Sequence, residues 1–355
     1  MPNEDPNAAP RSCGAAFVSE SVAMDRAVRL GARSLVSARP NPPVGCIVLS
    51  ESGQSIGEGR HIQPGHPHAE VIALDQAGRR ANNSTLVVTL EPCNHHGRTP
   101  PCTERILKAG VRRVVYATKD SNPAAEGGAI FLQKNGVDVM HMPHVGADRL
   151  NAPHLTWSNH SRPHVIAKWA QTAEGYMCPP PDQGRWITGI ASRTEVHRLR
   201  GRVDAVLTGV GTVKADDCRL DPRLYRPRQI PMVAVASRSG PIPQSASIQN
   251  NTNNIHLTGA TPAEQLAALA KMNVQVVLLE AGPTLLHAYW QSGLIDEAWV
   301  FVGPVSMPNG SGKSPIPNPR ETLSLHPQGS TMSFGPDRLY RLPIATNRST
   351  HHQPA

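Results

Sequence analysis

Along this chain, short unbroken apolar runs alternate with stretches whose apolar positions recur every three or four residues. These are the signatures of buried strands and amphipathic helices. Residues 19–38 carry Val22, Met24, Ala27, Val28, Leu30 and Leu35 near helical spacing and run into Pro40-Asn41-Pro42-Pro43, which predicts a helix and its stop. A buried strand is expected over 44–49, a turn at Glu51-Ser52-Gly53 and helical character over 68–77. Strand 86–90 ends at Glu91-Pro92-Cys93, helix 103–109 is closed by Gly110, and strand 114–117, helix 129–135 and edge strand 137–139 follow. The order predicts a mixed sheet with helices on both faces, an α/β domain over 19–150.

Residues 151–163 are polar, hold two prolines and lack periodicity, so a linker and domain boundary are expected there. The pattern then restarts with strand 165–170, helix 192–202, strand 205–208, strand 232–236, helix 262–272, strand 274–280, a helix to about 291, and strands over 298–302 and 332–342. This predicts a second, independent α/β domain over 164–342. No internal repeat is found. The polar, Pro-rich ends, 1–18 and 343–355, are expected to be disordered tails.

At 355 residues the chain exceeds one ordinary core, in keeping with two domains. The net charge of +8 is scattered, with Arg-rich pieces at 193–202, 219–228 and 338–348. A basic balance of this kind suits anionic small substrates or nucleic acid. An aromatic content of 4% argues against a base-stacking platform, so no nucleic acid partner is expected. Six cysteines without a secretory signal read as thiols and ligands, and no apolar run is long enough to span a membrane. A cytoplasmic protein is expected.

Chemistry concentrates in His68-Ala69-Glu70 and in Pro92-Cys93-Asn94-His95-His96-Gly97-Arg98-Thr99-Pro100-Pro101-Cys102. His68, Cys93 and Cys102 are three zinc ligands of the kind that leave a fourth position for water, with Glu70 placed to shuttle protons. A His-x-Glu followed by Pro-Cys and a second Cys is the signature of zinc deaminases, whose Glu is not a ligand. The usual gap between the cysteines is two residues; here it is eight.

These segments, with Asn41-Pro42-Pro43-Val44-Gly45 and Gly57-Glu58-Gly59-Arg60-His61, resemble the bifunctional deaminase–reductase of riboflavin biosynthesis from about residue 20 to 342. The long arm His-His-Gly-Arg-Thr-Pro-Pro separates that family from cytidine and tRNA-adenosine deaminases. The resemblance implies a cytidine-deaminase-like first domain, in which zinc held by His68, Cys93 and Cys102 serves hydrolytic deamination and Glu70 moves the protons. Asn41, His61 and His96 match substrate-pocket positions, although Asn41 taken alone reads as a turn residue before proline. Arg98 offers a charge for the ribose phosphate.

The second half has no metal motif and no Gly-x-Gly-x-x-Gly fingerprint. Two glycine-bearing turns, Gly209-Val210-Gly211-Thr212 and Glu280-Ala281-Gly282-Pro283-Thr284-Leu285, follow apolar strands. The resemblance implies a dihydrofolate-reductase-like α/β domain that uses NADPH to reduce a ribosyl group to ribityl. On it, Ala170, Trp186, Thr212 and Gly282, Pro283, Thr284 and Leu285 touch the cofactor. Ser237, with Arg238, is a candidate reader of its 2′-phosphate. Arg200, Leu220, Arg223 and Glu280 meet the substrate, and Asp216 and Lys168 handle protons. Departures from the family pattern are Cys218 for proline, Asp221 for threonine, Glu174 for aspartate and Gly184 for a polar residue. Asp221 adds a carboxylate near a phosphate site. The expected activity is deamination of a phosphorylated diaminopyrimidinone followed by NADPH reduction, in a homo-oligomer, dimer or tetramer. The alternatives are a deaminase whose second domain only supports oligomerisation, or a nucleic-acid base deaminase.

Overall fold

The computed structural model describes residues 17–96, 100–121, 127–178, 186–227, 229–238, 240–251, 253–306, 311–326 and 328–344. Arg98, Gly184 and nearly all of the two expected tails lie outside the described residues. Phe17 and Val18, expected in the N-terminal tail, lie against Gly53, whose carbonyl accepts the Val18 N–H at 2.9 Å. Pro343, expected in the C-terminal tail, ends a strand. The chain forms two compact units that divide between Asn151 and Ala152.

The first unit holds α1 (Glu20–Ala32), β1 (Gly45–Leu49), β2 (Ser55–Arg60), α2 (Ala69–Ala77), β3 (Thr85–Leu90), α3 (Cys102–Lys108), β4 (Arg113–Thr118), α4 (Gly128–Lys134) and β5 (Asp138–His141). Its sheet has the order β2-β1-β3-β4-β5, antiparallel around β1 and parallel from β3 to β5, as expected of a mixed sheet. Alternation along each strand sends Cys46, Val48, Leu86 and Val88 towards α2, α3 and α4. Ile47, Leu49, Val87 and Val115 point the other way, towards Ala23, Met24 and Ala27 of α1. Helices therefore cover both faces.

Gly57 and Gly59 bring β2 and α2 together. A Cβ at either would collide with the carbonyl oxygens of Ala73 and Ala69, so the helix backbone lies directly on the strand. This packing sets the height of the His68-Ala69-Glu70 turn.

Residues 145–160, in part expected as an irregular linker, form helix α5 (Val145–His160) with Pro153 inside it. The internal proline and mostly polar sequence mask the helical pattern.

The second unit continues with β6 (His164–Gln171), β7 (Tyr176–Cys178), α6 (Ile190–Arg200), β8 (Ala205–Gly209), α7 (Val210–Asp216), β9 (Met232–Ser237), β10 (Asn254–Thr258), α8 (Pro262–Lys271), β11 (Val276–Leu279), α9 (Pro283–Gln291), β12 (Glu297–Val302), β13 (Ser311–Lys313), α10 (Pro319–Ser324), β14 (Ser330–Phe334) and β15 (Asp337–Pro343). Its main sheet has the order β10-β9-β8-β11-β6-β12-β15-β14, parallel as far as β12 and closed by an antiparallel hairpin. Leu266, Leu269, Leu286 and Tyr289 of α8 and α9 cover one face, and Val196, Leu199 and Val213 of α6 and α7 cover the other. Central strands buried on both faces read as continuous apolar runs, which is why they were visible in sequence. Gly209-Val210-Gly211-Thr212, expected as a turn, is instead the entry and first turn of α7.

Candidate active sites

In the first unit, Pro67 leads into an extended His68, and α2 begins at Ala69 with Glu70 in its first turn. Pro100-Pro101 delivers Cys102 as the first residue of α3, and Cys93 follows β3 on the intervening arm. The His68 nitrogen and the two sulfurs all lie within 4.8 Å of one another. His68 Nδ1 is 3.2 Å from Cys102 Sγ and 3.5 Å from Cys93 Sγ, whose sulfur accepts the Cys102 N–H at 3.4 Å. One imidazole and two thiols converging on a point, with only one side chain per ligand, is the donor set of a catalytic zinc site. Hydrogen bonding from Cys102, with His68 close by, holds the Cys93 thiol at about 4, while Cys102 is pushed well up. The His68 imidazole is raised chiefly by its hydrogen bond to Cys93.

Glu70 is 4% exposed, and burial raises its carboxyl above the ordinary range, with His68 opposing. A carboxyl shifted this way takes up and releases a proton closer to neutral pH. His61 is buried and held neutral mainly by burial. Its Nδ1 faces the Pro67 carbonyl at 3.2 Å, so its Nε2 accepts from the Asn41 amide at 3.0 Å. The His61 ring meets the His68 ring edge-on, with centroids 5.4 Å apart. Asn41, His61, His68, Glu70, Cys93 and Cys102 therefore form one connected group. His96 is exposed and pairs with Glu104 at 3.1 Å.

Sequence reading missed the braces of the arm. Thr103 donates its hydroxyl to Asn94 Oδ1 at 2.9 Å and its N–H to Cys93 O at 3.3 Å. Glu91, buried next to Pro92-Cys93, accepts the Ala129 N–H at 2.9 Å and ties the ligand loop to α4. A glutamate inside an apolar strand end was the available signal.

In the second unit, a cavity of about 1350 Å³ opens at the carboxyl ends of the parallel strands. It exceeds the roughly 300–1,000 Å³ usual for a single small ligand. Every described residue assigned to the second site lines it: Lys168 and Ala170 on β6, Thr212 and Asp216 on α7, and Leu220 and Arg223 on the loop after α7. Trp186, Arg200 and Ser237 join them, as do Glu280 and the Gly282-Pro283-Thr284-Leu285 entry to α9.

At its centre Glu280 accepts from Arg200 Nε at 2.6 Å and Nη2 at 3.0 Å, with Lys168 Nζ 3.4 Å away. Burial alone would raise this carboxyl, but Arg200 and Lys168 hold it down at about 2. Arg200 Nη1 donates to Asp221 O at 3.2 Å, so this arginine is committed to holding the site together. Thr212 Oγ1 accepts the Gly282 N–H at 3.0 Å and locks the two glycine-bearing junctions to each other. Trp186 is half exposed under the Arg193 guanidinium, 4.4 Å from the ring centroid. Ser237 donates to Gly240 O at 2.9 Å.

The departures fit this frame. Burial pushes the Cys218 thiol up to about 11, with Asp216 and Glu280 adding to it, so it stands as a neutral wall residue. Asp221 is ion-paired to Arg219 at 2.9 Å and Arg223 at 2.7 Å. His197, which the sequence reading passed over, accepts the Leu224 N–H at 3.4 Å. Burial, with Arg200 and Arg223, lowers it to about 4. NADPH fits a site with this open volume, a helix entry and basic side chains on its wall.

Residues 18–118 match the model of the cytidine and deoxycytidylate deaminase zinc-binding region, and residues 163–333 match that of the RibD C-terminal domain. The riboflavin biosynthesis protein RibD of Aquifex aeolicus is 35% identical over 312 residues, covering 81% of this chain and 87% of that protein. The structure of Acinetobacter baumannii RibD, form 1, superposes with a TM-score of 0.74 at 34% identity, covering 91% of this chain and 98% of that one. The diaminohydroxyphosphoribosylaminopyrimidine deaminase/5-amino-6-(5-phosphoribosylamino)uracil reductase of Thermotoga maritima gives 0.76 at 27% identity, covering 92% and 99%. A zinc-type donor set in the first unit, a basic cavity at the strand ends of the second and relatives that span both halves lead to one conclusion: this chain belongs to the RibD family of riboflavin biosynthesis proteins.

Proposed function

We propose that the chain carries out two successive steps, hydrolytic deamination of 2,5-diamino-6-ribosylamino-4(3H)-pyrimidinone 5′-phosphate and NADPH reduction of the resulting ribosylaminouracil phosphate to its ribityl form. The observation that supports the reading best is that His68, Cys93 and Cys102 converge in the first unit while every described residue assigned to the second site lines one cavity of the second.

His68 Nδ1 and the Cys93 and Cys102 sulfurs would hold zinc, which supplies Lewis acidity that makes water a nucleophile at neutral pH. Glu70 takes the proton from the attacking water and delivers it to the amino nitrogen that leaves as ammonia. Asn41 and His61, locked to one another, present the pocket wall. In the second unit NADPH supplies a hydride when bound. Asp216 gives the proton that the ring-opened sugar needs, and Lys168 and Arg200 orient through Glu280. A silent reductase half is not favoured, because Glu280, Arg200, Lys168 and Asp216 line the cavity and Cys218 stands there neutral.

The reading extends to a cytoplasmic homo-oligomer that binds no nucleic acid. Among the described residues no helix is long and apolar enough to cross a membrane. The test uses purified, zinc-loaded protein with the diaminopyrimidinone nucleotide, following ammonia release and then the loss of NADPH absorbance. Glu70→Gln is expected to lose ammonia release by about 10²–10⁴-fold while retaining zinc, and Asp216→Asn to lose only NADPH consumption. Wild-type protein that releases no ammonia would overturn the substrate assignment.

A further inference from the structure

Two guanidinium groups reach the second-unit cavity from the loop after α7, and one carboxylate holds them both. Asp221 Oδ2 lies 2.9 Å from Arg219 Nη2, and its Oδ1 lies 2.7 Å from Arg223 Nη1. The loop is turned at Leu220, which adopts φ +55°, and is pinned from below by Arg200 through the Asp221 carbonyl. Arg200, itself resemblance-assigned to substrate, has its Nε and Nη2 edge closed on Glu280. On this loop the solvent-facing cations are Arg219 and Arg223, whose side chains are 58% and 48% exposed, while Asp221 between them is 22% exposed. Two guanidiniums around one carboxylate leave one positive charge over. Their fork geometry accepts a phosphate at least as well as a carboxylate.

We propose that Asp221 is an internal, displaceable counter-ion in the phosphate subsite of this cavity. Without ligand it holds Arg219 and Arg223 in a clamp; the substrate 5′-phosphate takes both guanidiniums from it. Arg219 thereby becomes a substrate-binding residue, and Asp221 sets how tightly phosphorylated ligands bind. A phosphate dianion seated between the arginines stands beside the Asp221 carboxylate and is repelled by it. Removing that charge strengthens binding. The proposal rests on the cavity being the reductase site.

The test measures ribose 5-phosphate binding by calorimetry on the full-length, zinc-loaded protein, for wild type, Arg219→Gln and Asp221→Asn. Unphosphorylated ribose serves as the control, and KM values are taken in NADPH oxidation alongside. Arg219→Gln is expected to weaken ribose 5-phosphate binding by ~10-fold or more, the size of a charge-assisted hydrogen bond, and to raise nucleotide KM with NADPH KM unchanged. Asp221→Asn is expected to tighten binding by about two- to fivefold, the size of an exposed charge interaction, with ribose unaffected. An Asp221→Asn protein that binds ribose 5-phosphate no tighter than wild type overturns the counter-ion role. Unchanged affinity in Arg219→Gln overturns the assignment of Arg219. If ribose 5-phosphate responds as expected while wild type consumes no NADPH, the reductase reading fails, and what stands is phosphate binding by the two arginines with Asp221 as their counter-ion, without its assignment to the substrate.

Discussion

Replacing Arg200 by Gln removes the partner that keeps a fully buried carboxylate ionised. Glu280 is 7% exposed, and its carboxyl stands at about 2 against an ordinary 4.5. At about 1.4 kcal/mol for each tenfold change in proton affinity, this corresponds to about 3–4 kcal/mol of attraction to Arg200 and Lys168 together, beyond the cost of burial. Breaking a buried pair by removing one partner costs about 3–5 kcal/mol, because the remaining charge is left uncompensated. Lys168, at 3.4 Å, is a single longer contact and recovers only part of this. Arg200→Gln is thus expected to lose about 3 kcal/mol at neutral pH, or roughly 6–12 °C in the Tm of a unit of about this size. All five tryptophans lie between 157 and 299, in the second unit, so their fluorescence during urea unfolding reports that unit. The double variant Arg200→Gln/Glu280→Gln should regain part of the loss, since no buried carboxylate is then stranded and only the partly exposed Lys168 ammonium gives up its partner. The wild-type contribution is complete above about pH 4.5 and disappears as pH falls towards 2, so the penalty of the single variant should shrink over that range. A loss below about 1 kcal/mol at neutral pH, or a double variant no more stable than the single, would refute the reasoning.

Two further outcomes follow from packing and titration. Gly59→Ala inserts a Cβ against the Ala69 carbonyl and shifts the helix that carries Glu70. Ammonia release and zinc retention should fall, with a stability loss of about 1–3 kcal/mol, while NADPH consumption with a supplied aminouracil nucleotide is unchanged. His197 is neutral in the fold down to about pH 4 but titrates near 6.5 in the unfolded chain. The unfolded state therefore binds more protons between those values, and stability is lost as pH falls through them. His197→Asn keeps an acceptor for the Leu224 N–H, and its stability should depend less steeply on pH across that window. Equal slopes in variant and wild type would place the titration elsewhere.

The converging His68, Cys93 and Cys102 and the neighbouring Glu70 were legible because each sits at a local boundary that short-range sequence encodes: a proline before α2, a strand end at Pro92-Cys93, two prolines before α3. The close fit of α2 on β2 depends on glycines whose purpose appears only when the helix backbone is laid across them. Helix α5 was missed because its internal proline broke the pattern used to recognise helices. In the second unit, the strands of the parallel sheet with apolar runs were read within a residue or two, while the short strands β7, β10 and β13 carried no such run. The stretch 332–342, expected as one strand, is instead the hairpin of β14 and β15, turned at Gly335 with φ +64°.

By itself the sequence determined the alternation of strands and helices, the order of the two α/β units and the chemical character of the candidate metal-binding side chains. Periodicity, helix-stopping prolines and ligand chemistry are properties of neighbouring residues. Only the tertiary structure decided that Arg200 is spent on Glu280, that Thr212 and Gly282 lock two distant turns together, and that Asp221 stands between two arginines. Those arrangements depend on which groups meet across the sheet and which are taken out of water, and burial and charge pairing are set by groups far apart in the chain.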